Sequence, residues 1–413
     1  MNPLTSNDVL RPGPKGFKRW TQQLFFAGMP YVFAFLRRWK PVARVGKMVL
    51  TSRYDDVREV FLTDPVFGVT YASKLDVIMG GEPFFLGMGD TPRYRHDVAA
   101  MRKVVRAGDL GMLAEQAERR AGVIVAGCGG RIDVVDGLVR QVTFDLFSDY
   151  LGVPWPASGD LRVWATRLFE FQFADGGNDP ALRAEVDVIA PALRAHIDAQ
   201  IALRKSAPGK DDVLSRSLAM QAAGESGFCD VEIRTALMGM IVGGPPQPPM
   251  VVPQAMEQLL RRPEALAGAR AAALADDDAR LRGYVLEAMR FDPLAPGLPR
   301  TVLQDGVIAR GTPHEAKVTA GETVLAAFAS AMMDPRRVAD PRRFDPARPA
   351  SDYIHFGYGL HQCFGLHINL ATLHLMLKPL LRQPGLKRAP GSAGQLSKNG
   401  AFAERLVVEF GGG

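Results

Sequence analysis

The residues best suited to chemistry lie in one short segment near the C-terminus, Phe356-Gly357-Tyr358-Gly359-Leu360-His361-Gln362-Cys363-Phe364-Gly365. Glycines at positions 357, 359 and 365 allow the backbone to take positive φ and to approach a flat body closely. The apolar pattern of residues 366–381 predicts a helix directly after the segment. Backbone N–H groups and that helix N-terminus favour a thiolate at Cys363. Such a thiolate is suited to ligate haem iron, and Phe356 can shield one side of the site.

Two other interpretations of Cys363 stay open when only these residues are considered. A lone cysteine is often a buried structural residue with no chemical role. A zinc site is the other alternative, because His361, Cys363 and His367 lie close together in the chain. Tight zinc sites usually show paired ligand spacings, and no such pair is evident here.

The pattern Phe-x-x-Gly-x-His-x-Cys-x-Gly, from Phe356 to Gly365, resembles the haem-binding loop of the cytochrome P450 family. The resemblance implies a mostly α fold with a minor β region, formed as a single large haem-binding domain over 1–413. It also implies haem b as cofactor, with Cys363 as the iron ligand. Gly357 and Gly365 would then border the haem. A flexible N-terminus is expected at about 1–18, where the chain is polar and carries Pro12 and Pro14. Periodicity alone predicts only a mostly α protein.

The resemblance also implies which side chains hold the haem propionates. It assigns this role to Arg300, which follows the proline-rich run 293–299, and to His361. Both assignments are chemically reasonable, because a guanidinium can clamp a carboxylate through two hydrogen bonds and a charged imidazole can donate to one.

The sequence departs from the family at a further propionate contact. The family places a His-x-x-x-Arg pair in the helix that Asp90-Thr91-Pro92 begins, whereas Tyr94 and Val98 occupy those positions here. We expect Tyr94, Arg95 or Arg102 to substitute for the missing pair.

A charged network is expected beneath the haem. Glu287 and Arg290 have the i, i+3 spacing that places two side chains on one helix face. The resemblance adds a third member from the segment 340–346, for which Arg343 is the predicted residue. The network is structural, and it stabilises the loop that carries the iron ligand.

The central helix shows the largest departure from the family pattern. The family has an acidic residue followed by threonine above the iron, and this pair delivers protons to bound oxygen. Here Gly243-Gly244-Pro245-Pro246-Gln247-Pro248-Pro249 occupies the place, with no acid or hydroxyl between 236 and 256. Prolines remove backbone donors and break the helix, so Gly243, Gly244 and Gln247 are the predicted catalytic positions.

The amide of Gln247 can orient oxygen atoms, but it cannot act as a proton relay of matched pKa. Water and the broken backbone replace the relay, or activation of O2 is not the native chemistry.

Elsewhere, local patterns predict a hairpin over 41–51 and a loop-rich roof over 64–90 that covers the substrate pocket. Lys74 is a candidate anchor for a charged head group. The pocket candidates are apolar and indicate a lipophilic substrate; they are Phe84, Phe85, Leu86, Trp164, Phe169, Phe173, Leu294, Leu298 and Phe402.

Composition and charge limit the class of protein and its partners. The hydrophobic share of 47% and the charged share of 23% are those of a soluble globular protein. Three cysteines make no disulfide framework, which favours a cytoplasmic location. The net charge of +6 is modest and spread along the chain, so it gives weak support for an acidic protein partner, and no nucleic-acid partner is expected.

One N-terminal stretch allows two interpretations. Residues 24–36 are apolar and aromatic, but the stretch is too short to cross a bilayer, and it contains Pro30. The stretch predicts either a helix packed on the body of the protein or an amphipathic patch in peripheral contact with a membrane. Arg37, Arg38 and Lys40 would flank that patch.

These features together predict a haem-thiolate oxidoreductase. The first hypothesis is a monooxygenase that oxidises a lipophilic small molecule with O2 and electrons from an external ferredoxin or flavoprotein reductase. The second is redox-partner-independent use of a peroxide, as a peroxygenase or as an isomerase or dehydratase of a lipid hydroperoxide. A haem-binding ligand sensor is a third interpretation, which only the missing relay supports. The partner's docking face would be basic, around Arg336, Arg337, Arg342 and Arg348.

Overall fold

Helices form most of the computed structural model, which describes residues 3–13, 16–207 and 209–411. Of the predicted flexible N-terminus, residues 1–2 and 14–15 lie outside these ranges. The α-helices are α1 (Gly16–Trp39), α2 (Tyr54–Leu62), α3 (Ala72–Met79), α4 (Pro92–Val104), α5 (Leu110–Gly127), α6 (Arg140–Leu151), α7 (Leu161–Phe169), α8 (Pro180–Ser206), α9 (Val213–Ala222), α10 (Asp230–Gly243), α11 (Pro248–Leu260), α12 (Pro263–Leu274), α13 (Asp278–Phe291), α14 (Phe328–Ala331) and α15 (Leu366–Leu381).

The strands are short and form a minor β region, as predicted. They are β1 (Val42–Val45), β2 (Met48–Thr51), β3 (Phe67–Val69), β4 (Arg131–Asp133), β5 (Leu298–Val302), β6 (Gly306–Ile308), β7 (Ala316–Val318), β8 (Thr323–Ala326), β9 (Lys387–Arg388), β10 (Ser397–Asn399), β11 (Phe402–Arg405) and β12 (Val407–Glu409). The largest sheet has the order β1-β2-β8-β5-β3. It includes the predicted hairpin, in which Val42 pairs with Thr51. In the same sheet Arg300 pairs with Val69 and Val324.

Several helices begin where the sequence offers a side-chain cap. The hydroxyl of Thr91 accepts a hydrogen bond from the N–H of Tyr94, and Pro92 occupies the first turn, so the predicted start of α4 is confirmed. Asp160, Asp179 and Asp212 cap α7, α8 and α9 in the same way. Each such cap stabilises its helix by about 1 kcal/mol.

The prediction of a loop-rich roof over 64–90 is only partly right, because this stretch contains β3 and α3. β3 pairs with the distant strand β5, with Phe67 opposite Val302. α3 buries Leu75, Ile78 and Met79 and packs on α8. Partners far away in the chain thus order a segment whose local composition is typical of a loop.

The main core is helical and surrounds α15, the helix that follows the cysteine loop. α5 packs along α15, and α13 and α11 pack beside it. A second, smaller core lies under the large sheet, where Phe61, Phe67 and Val324 are fully buried. The cysteine loop therefore leads into a helix held by neighbours, which fixes the direction in which the chain leaves Cys363. Whether residues 1–413 fold as one domain stays a prediction.

A fully buried ionic network ties α13 to the chain that leads into the cysteine loop. Arg290 donates to both carboxylate oxygens of Glu287, at 2.7 and 2.8 Å. Arg348 donates to the same carboxylate at 3.0 Å, and the backbone N–H of Asp345 donates at 2.9 Å. The prediction of Arg343 as third member is wrong, because its side chain is exposed and only its carbonyl takes part. The side chain of Arg348 is 4% exposed, so it does not belong to a surface docking face either.

This network generates a prediction about stability. Replacement of Arg348 by Met removes a buried partner of Glu287 and should lower the free energy of unfolding by about 3–5 kcal/mol, since breaking a buried ion pair leaves a charge less well compensated. The matched substitution Arg343→Met should change it by less than about 0.5 kcal/mol, as for an exposed side chain. Denaturant unfolding of both variants measures the difference. Equal losses would contradict the assignment.

Candidate functional site

A cavity of about 610 Å³ lies over Cys363, bounded by the cysteine loop, the end of α10, the start of α11, and Tyr71 and residues 84–86 of the roof. Eight of the nine predicted pocket residues line it: Phe84, Phe85, Leu86, Phe169, Phe173, Leu294, Leu298 and Phe402. The exception is Trp164, which packs outside the cavity and donates its indole N–H to the carbonyl of Leu4 at 3.3 Å. The cavity walls are therefore mainly aromatic and aliphatic.

Backbone hydrogen bonding shapes the loop that presents Cys363. The N–H of Cys363 donates to the carbonyl of Phe356 at 2.9 Å, which closes the loop. Gly357 and Gly359 both have φ of 70°, a conformation that favours glycine, as predicted. The same prediction is wrong for Gly365, whose φ is −82° at the start of α15. There a Cβ would lie 3.8 Å from the Cys363 sulfur, so glycine keeps the space beside the sulfur free.

The surroundings of the thiol act on its charge in two directions. Burial raises the pKa of Cys363, while the N–H of Gly365, which points at the sulfur, lowers it. The first effect is the larger, so the protein alone favours the neutral thiol. A bound metal ion reverses this balance, because a coordinating thiol loses its proton outright.

Two cationic or polar groups face the cavity without an anionic partner. Arg300 is 3% exposed, and its guanidinium donates a hydrogen bond to the carbonyl of Pro299, at 3.1 Å. No carboxylate of the described chain lies within ion-pair distance of Arg300. His361 also lines the cavity, and its Nδ1 is buried without a partner. Burial lowers the pKa of Arg300, and burial together with that guanidinium lowers the pKa of His361 to about 4.

These groups fit the haem that the resemblance implies. A buried guanidinium without a counterion is costly, and a haem propionate would supply the missing anion. An unpartnered imidazole nitrogen nearby offers a second contact, and Cys363 offers the axial sulfur. The roles of Arg300 and His361 stay predictions that this geometry supports.

Tyr94 and Arg102, predicted as substitute propionate contacts, lie beside the cavity rather than on its lining. The hydroxyl of Tyr94 donates to the carbonyl of Leu360 at 2.5 Å, which braces the cysteine loop. The guanidinium of Arg102 lies over the ring of Phe364, 4.9 Å from its centre. Both residues thus support the loop, and a direct contact with haem stays a prediction for each.

The central helix is broken as the prolines predict. α10 ends at Gly243 and α11 begins at Pro248, with Gly244 and Gln247 between them. The amide of Gln247 donates to the carbonyl of Gly243 at 2.5 Å. Gly243, Gly244 and Gln247 all line the cavity. A Cβ added at Gly243 would meet no atom within 4 Å, so the chain there borders open space. The break thus brings an amide, and no acid or hydroxyl, to the cavity wall.

Some cavity residues carry no recognisable signal in the sequence. Tyr71 lines the cavity and stacks edge-on against Phe173, and its burial raises its pKa to about 12. His355 also lines it, with a buried and unpartnered Nδ1. Lys74 does not anchor a head group, because its ammonium binds the carboxylate of Asp175 at 3.1 Å, away from the cavity. Asp175 lies far from Lys74 in the sequence, so no local pattern indicates this pair.

The zinc alternative has no ligand set in the described residues. No group of three histidine, cysteine, aspartate or glutamate side chains there is arranged to hold a metal ion. Cys363 is free, as are Cys128 and Cys229. Among the residues that line the cavity, Cys363 offers the one cysteine thiol, so its sulfur remains the metal ligand to consider.

The unpaired arginine generates a prediction about cofactor retention. Arg300→Leu should speed haem transfer to a haem-scavenging apoprotein about 10- to 100-fold, since a hydrogen bond to a charged group is worth about 1.5–3 kcal/mol. Arg310→Leu, which removes an exposed arginine, serves as the control and should leave the rate unchanged. Unchanged haem release in the Arg300 variant would contradict the proposed propionate contact.

Comparisons with known proteins agree with this geometry. A family model described as Cytochrome P450 matches residues 192–403, more than half of the chain. Cytochrome P450 monooxygenase PikC of Streptomyces venezuelae is 26% identical, over 87% of this chain and 84% of its own. A bifunctional dioxygenase–epoxy alcohol synthase of Pyricularia oryzae is 24% identical over 87% of this chain, which corresponds to 35% of that protein. The ligand-free structure of cytochrome P450 TbtJ1 has the same fold, with a TM-score of 0.78, 22% identity, and coverage of 93% of this chain and 98% of its own. The chain belongs to the cytochrome P450 family and is a haem-thiolate oxidoreductase of the monooxygenase type.

Proposed function

We propose that this enzyme oxidises a lipophilic small molecule with O2, using haem b bound through Cys363 and electrons from an external redox partner. The observation that carries the proposal is the cavity of about 610 Å³ over Cys363, whose walls are mainly apolar and aromatic. A cavity of this size and character accommodates one small molecule and buries most of its surface. Haem held by Cys363 would supply the O2 chemistry, because a thiolate ligand donates electron density that favours O–O cleavage.

The residues of the chain would divide the remaining tasks. Cys363 holds the iron, Arg300 and His361 bind the propionates, and Phe356 shields the sulfur. The roof residues Phe84 and Phe85 exclude water above the site. The close packing of Phe84 on α10 depends on Gly239, because a Cβ there would lie 2.1 Å from the Phe84 ring.

The monooxygenase reaction needs two electrons and two protons for each O2, with one oxygen atom entering the substrate and the other leaving as water. A ferredoxin or flavoprotein would supply the electrons. Exposed Arg336, Arg337 and Arg342 offer a basic surface for an acidic partner, although Arg336 and Arg337 also pair with Asp334 and Asp55. A cytoplasmic location, inferred from the three cysteines, belongs to the same proposal.

A second candidate is the rearrangement of a lipid hydroperoxide without any redox partner. The specific observation in its favour is the break between α10 and α11, where Gln247 is the polar side chain on the cavity wall. A substrate that already contains an O–O bond needs neither external electrons nor the family's acid–alcohol relay. Isomerisation keeps all atoms and electrons of the hydroperoxide, so the reaction needs no co-reactant. The name of the Pyricularia oryzae relative includes an epoxy alcohol synthase, which is consistent with this candidate.

One assay distinguishes the two candidates. Purified holoenzyme is mixed with a fatty-acid hydroperoxide without reductant, and in parallel with the parent fatty acid, NAD(P)H, O2 and a ferredoxin pair. The first candidate predicts product by mass spectrometry only in the second mixture. Rapid multiple turnovers in the first mixture would overturn it and establish the hydroperoxide reaction.

The amide at the break generates a prediction for the hydroperoxide candidate. Gln247→Met keeps the length of the side chain but removes the amide, so it should lower the rate of hydroperoxide conversion about 100- to 1000-fold, as loss of a positioned hydrogen-bond donor typically does. Met250→Leu alters another cavity residue without removing a polar group and should leave the rate within about twofold. Equal rates in the wild-type and Gln247→Met enzymes would exclude a role for the amide.

A further inference from the structure

The helix α1 exposes an unusually large apolar surface for a helix that covers one side of the protein. Eight of its large apolar side chains are more than half exposed, namely Phe17, Trp20, Leu24, Phe25, Tyr31, Val32, Phe35 and Trp39. At about 100° per residue these positions fall within a sector of about 140°. The exposed residues therefore form one continuous stripe, called here the α1 stripe, rather than scattered single side chains.

The opposite side of α1 faces the body of the protein and fixes the orientation of the stripe. Phe33 is buried there, and Arg37 donates to the carbonyl and the hydroxyl of Ser330, at 3.1 and 2.8 Å. Phe26 lies on the same side and lines the cavity over Cys363. The helix is thus attached through one side while the α1 stripe points away from the core.

The charges of α1 are of one sign. From Gly16 to Trp39 its sequence contains no acidic residue, and it carries Lys18 and Arg19 near one end and Arg37 and Arg38 at the other. Lys40 follows directly. Aromatic side chains with flanking cations are typical of helices that lie in the interface of an anionic lipid bilayer.

Charge also argues against a second copy of this chain as the occupant. Two α1 stripes packed together would bring cationic helix ends near each other, and α1 offers no carboxylate to compensate them. No helix of the described chain is long and apolar enough to cross a membrane. A surface-bound orientation is therefore the one that accounts for both the stripe and the cations.

We propose that the α1 stripe binds the surface of an anionic phospholipid bilayer, with α1 lying in the plane of the interface. Phe26 and the preceding residues Leu10–Gly13 border the cavity. A bound bilayer would then lie beside this part of the cavity wall, and a lipophilic substrate could enter from the lipid. Membrane binding itself does not depend on which oxidation reaction the enzyme performs.

Vesicle binding of the full-length holoenzyme tests the proposal. Vesicles of phosphatidylcholine alone and of phosphatidylcholine with phosphatidylglycerol are sedimented with the protein, at low and high salt. We expect binding to the anionic vesicles that salt weakens. The double substitution Phe25→Glu with Phe35→Glu should weaken binding at least about 100-fold, since each buried phenyl group contributes about tenfold or more.

A matched control carries the same added charge elsewhere. Val123→Glu with Leu203→Glu alters two exposed apolar side chains on α5 and α8 and should leave vesicle binding unchanged. Haem content and helicity of both variants report whether each is folded. In the wild-type protein, brominated lipids should quench the fluorescence of Trp20 and Trp39, and replacing Trp155 and Trp164 by Phe should preserve that quenching.

Three outcomes would overturn the proposal. The wild-type protein fails to sediment with anionic vesicles, or the α1 variant and the control bind equally well. Alternatively, the protein self-associates in solution without binding vesicles, and the α1 substitutions abolish the association. That last outcome would assign the stripe to a second copy of the chain.

Discussion

The buried carboxylate of Glu287 is the constraint on which the position of the cysteine loop depends. A fully buried charge is tolerated only when it is paired and hydrogen-bonded, and here Arg290, Arg348 and the N–H of Asp345 meet that requirement. Tyr353 adds a hydroxyl at 3.2 Å. The chain from 340 to 353 is therefore held on α13, just before it enters the loop. His355 continues the attachment through its hydrogen bond with the carbonyl of Leu286, at 2.9 Å.

A loop held in this way can present the Cys363 sulfur on a cavity wall that is mainly aromatic and aliphatic. Near the loop, Arg300 is buried and His361 has a buried Nδ1, and neither has an anionic partner in the described chain. At the break between α10 and α11 the cavity wall offers the amide of Gln247 and open space at Gly243. The part of the cavity near the loop is thus suited to hold a charged cofactor, whereas the chain at the break offers neither an acid nor a hydroxyl.

Features set by local chemistry could be predicted from the sequence. The cysteine loop, the capped start of α4 and the break at Gly243–Pro249 each depend on neighbouring residues, and the structure contains all three. Features set by distant partners could not be predicted. Arg343 and Arg348 are both arginines in the same irregular segment, and only packing against α13 decides which side chain turns inward. The helix α3 is ordered by α8, more than a hundred residues away in the chain.

The central claim is that the sulfur of Cys363 ligates haem iron, and one spectrum tests it most directly. Reduced wild-type protein exposed to carbon monoxide should show the red-shifted Soret band that is characteristic of thiolate ligation. Cys363→Ser should lose this band, whereas Cys128→Ser and Cys229→Ser should retain it. Absence of the band in wild-type protein that contains haem, or its persistence in Cys363→Ser, would contradict the account.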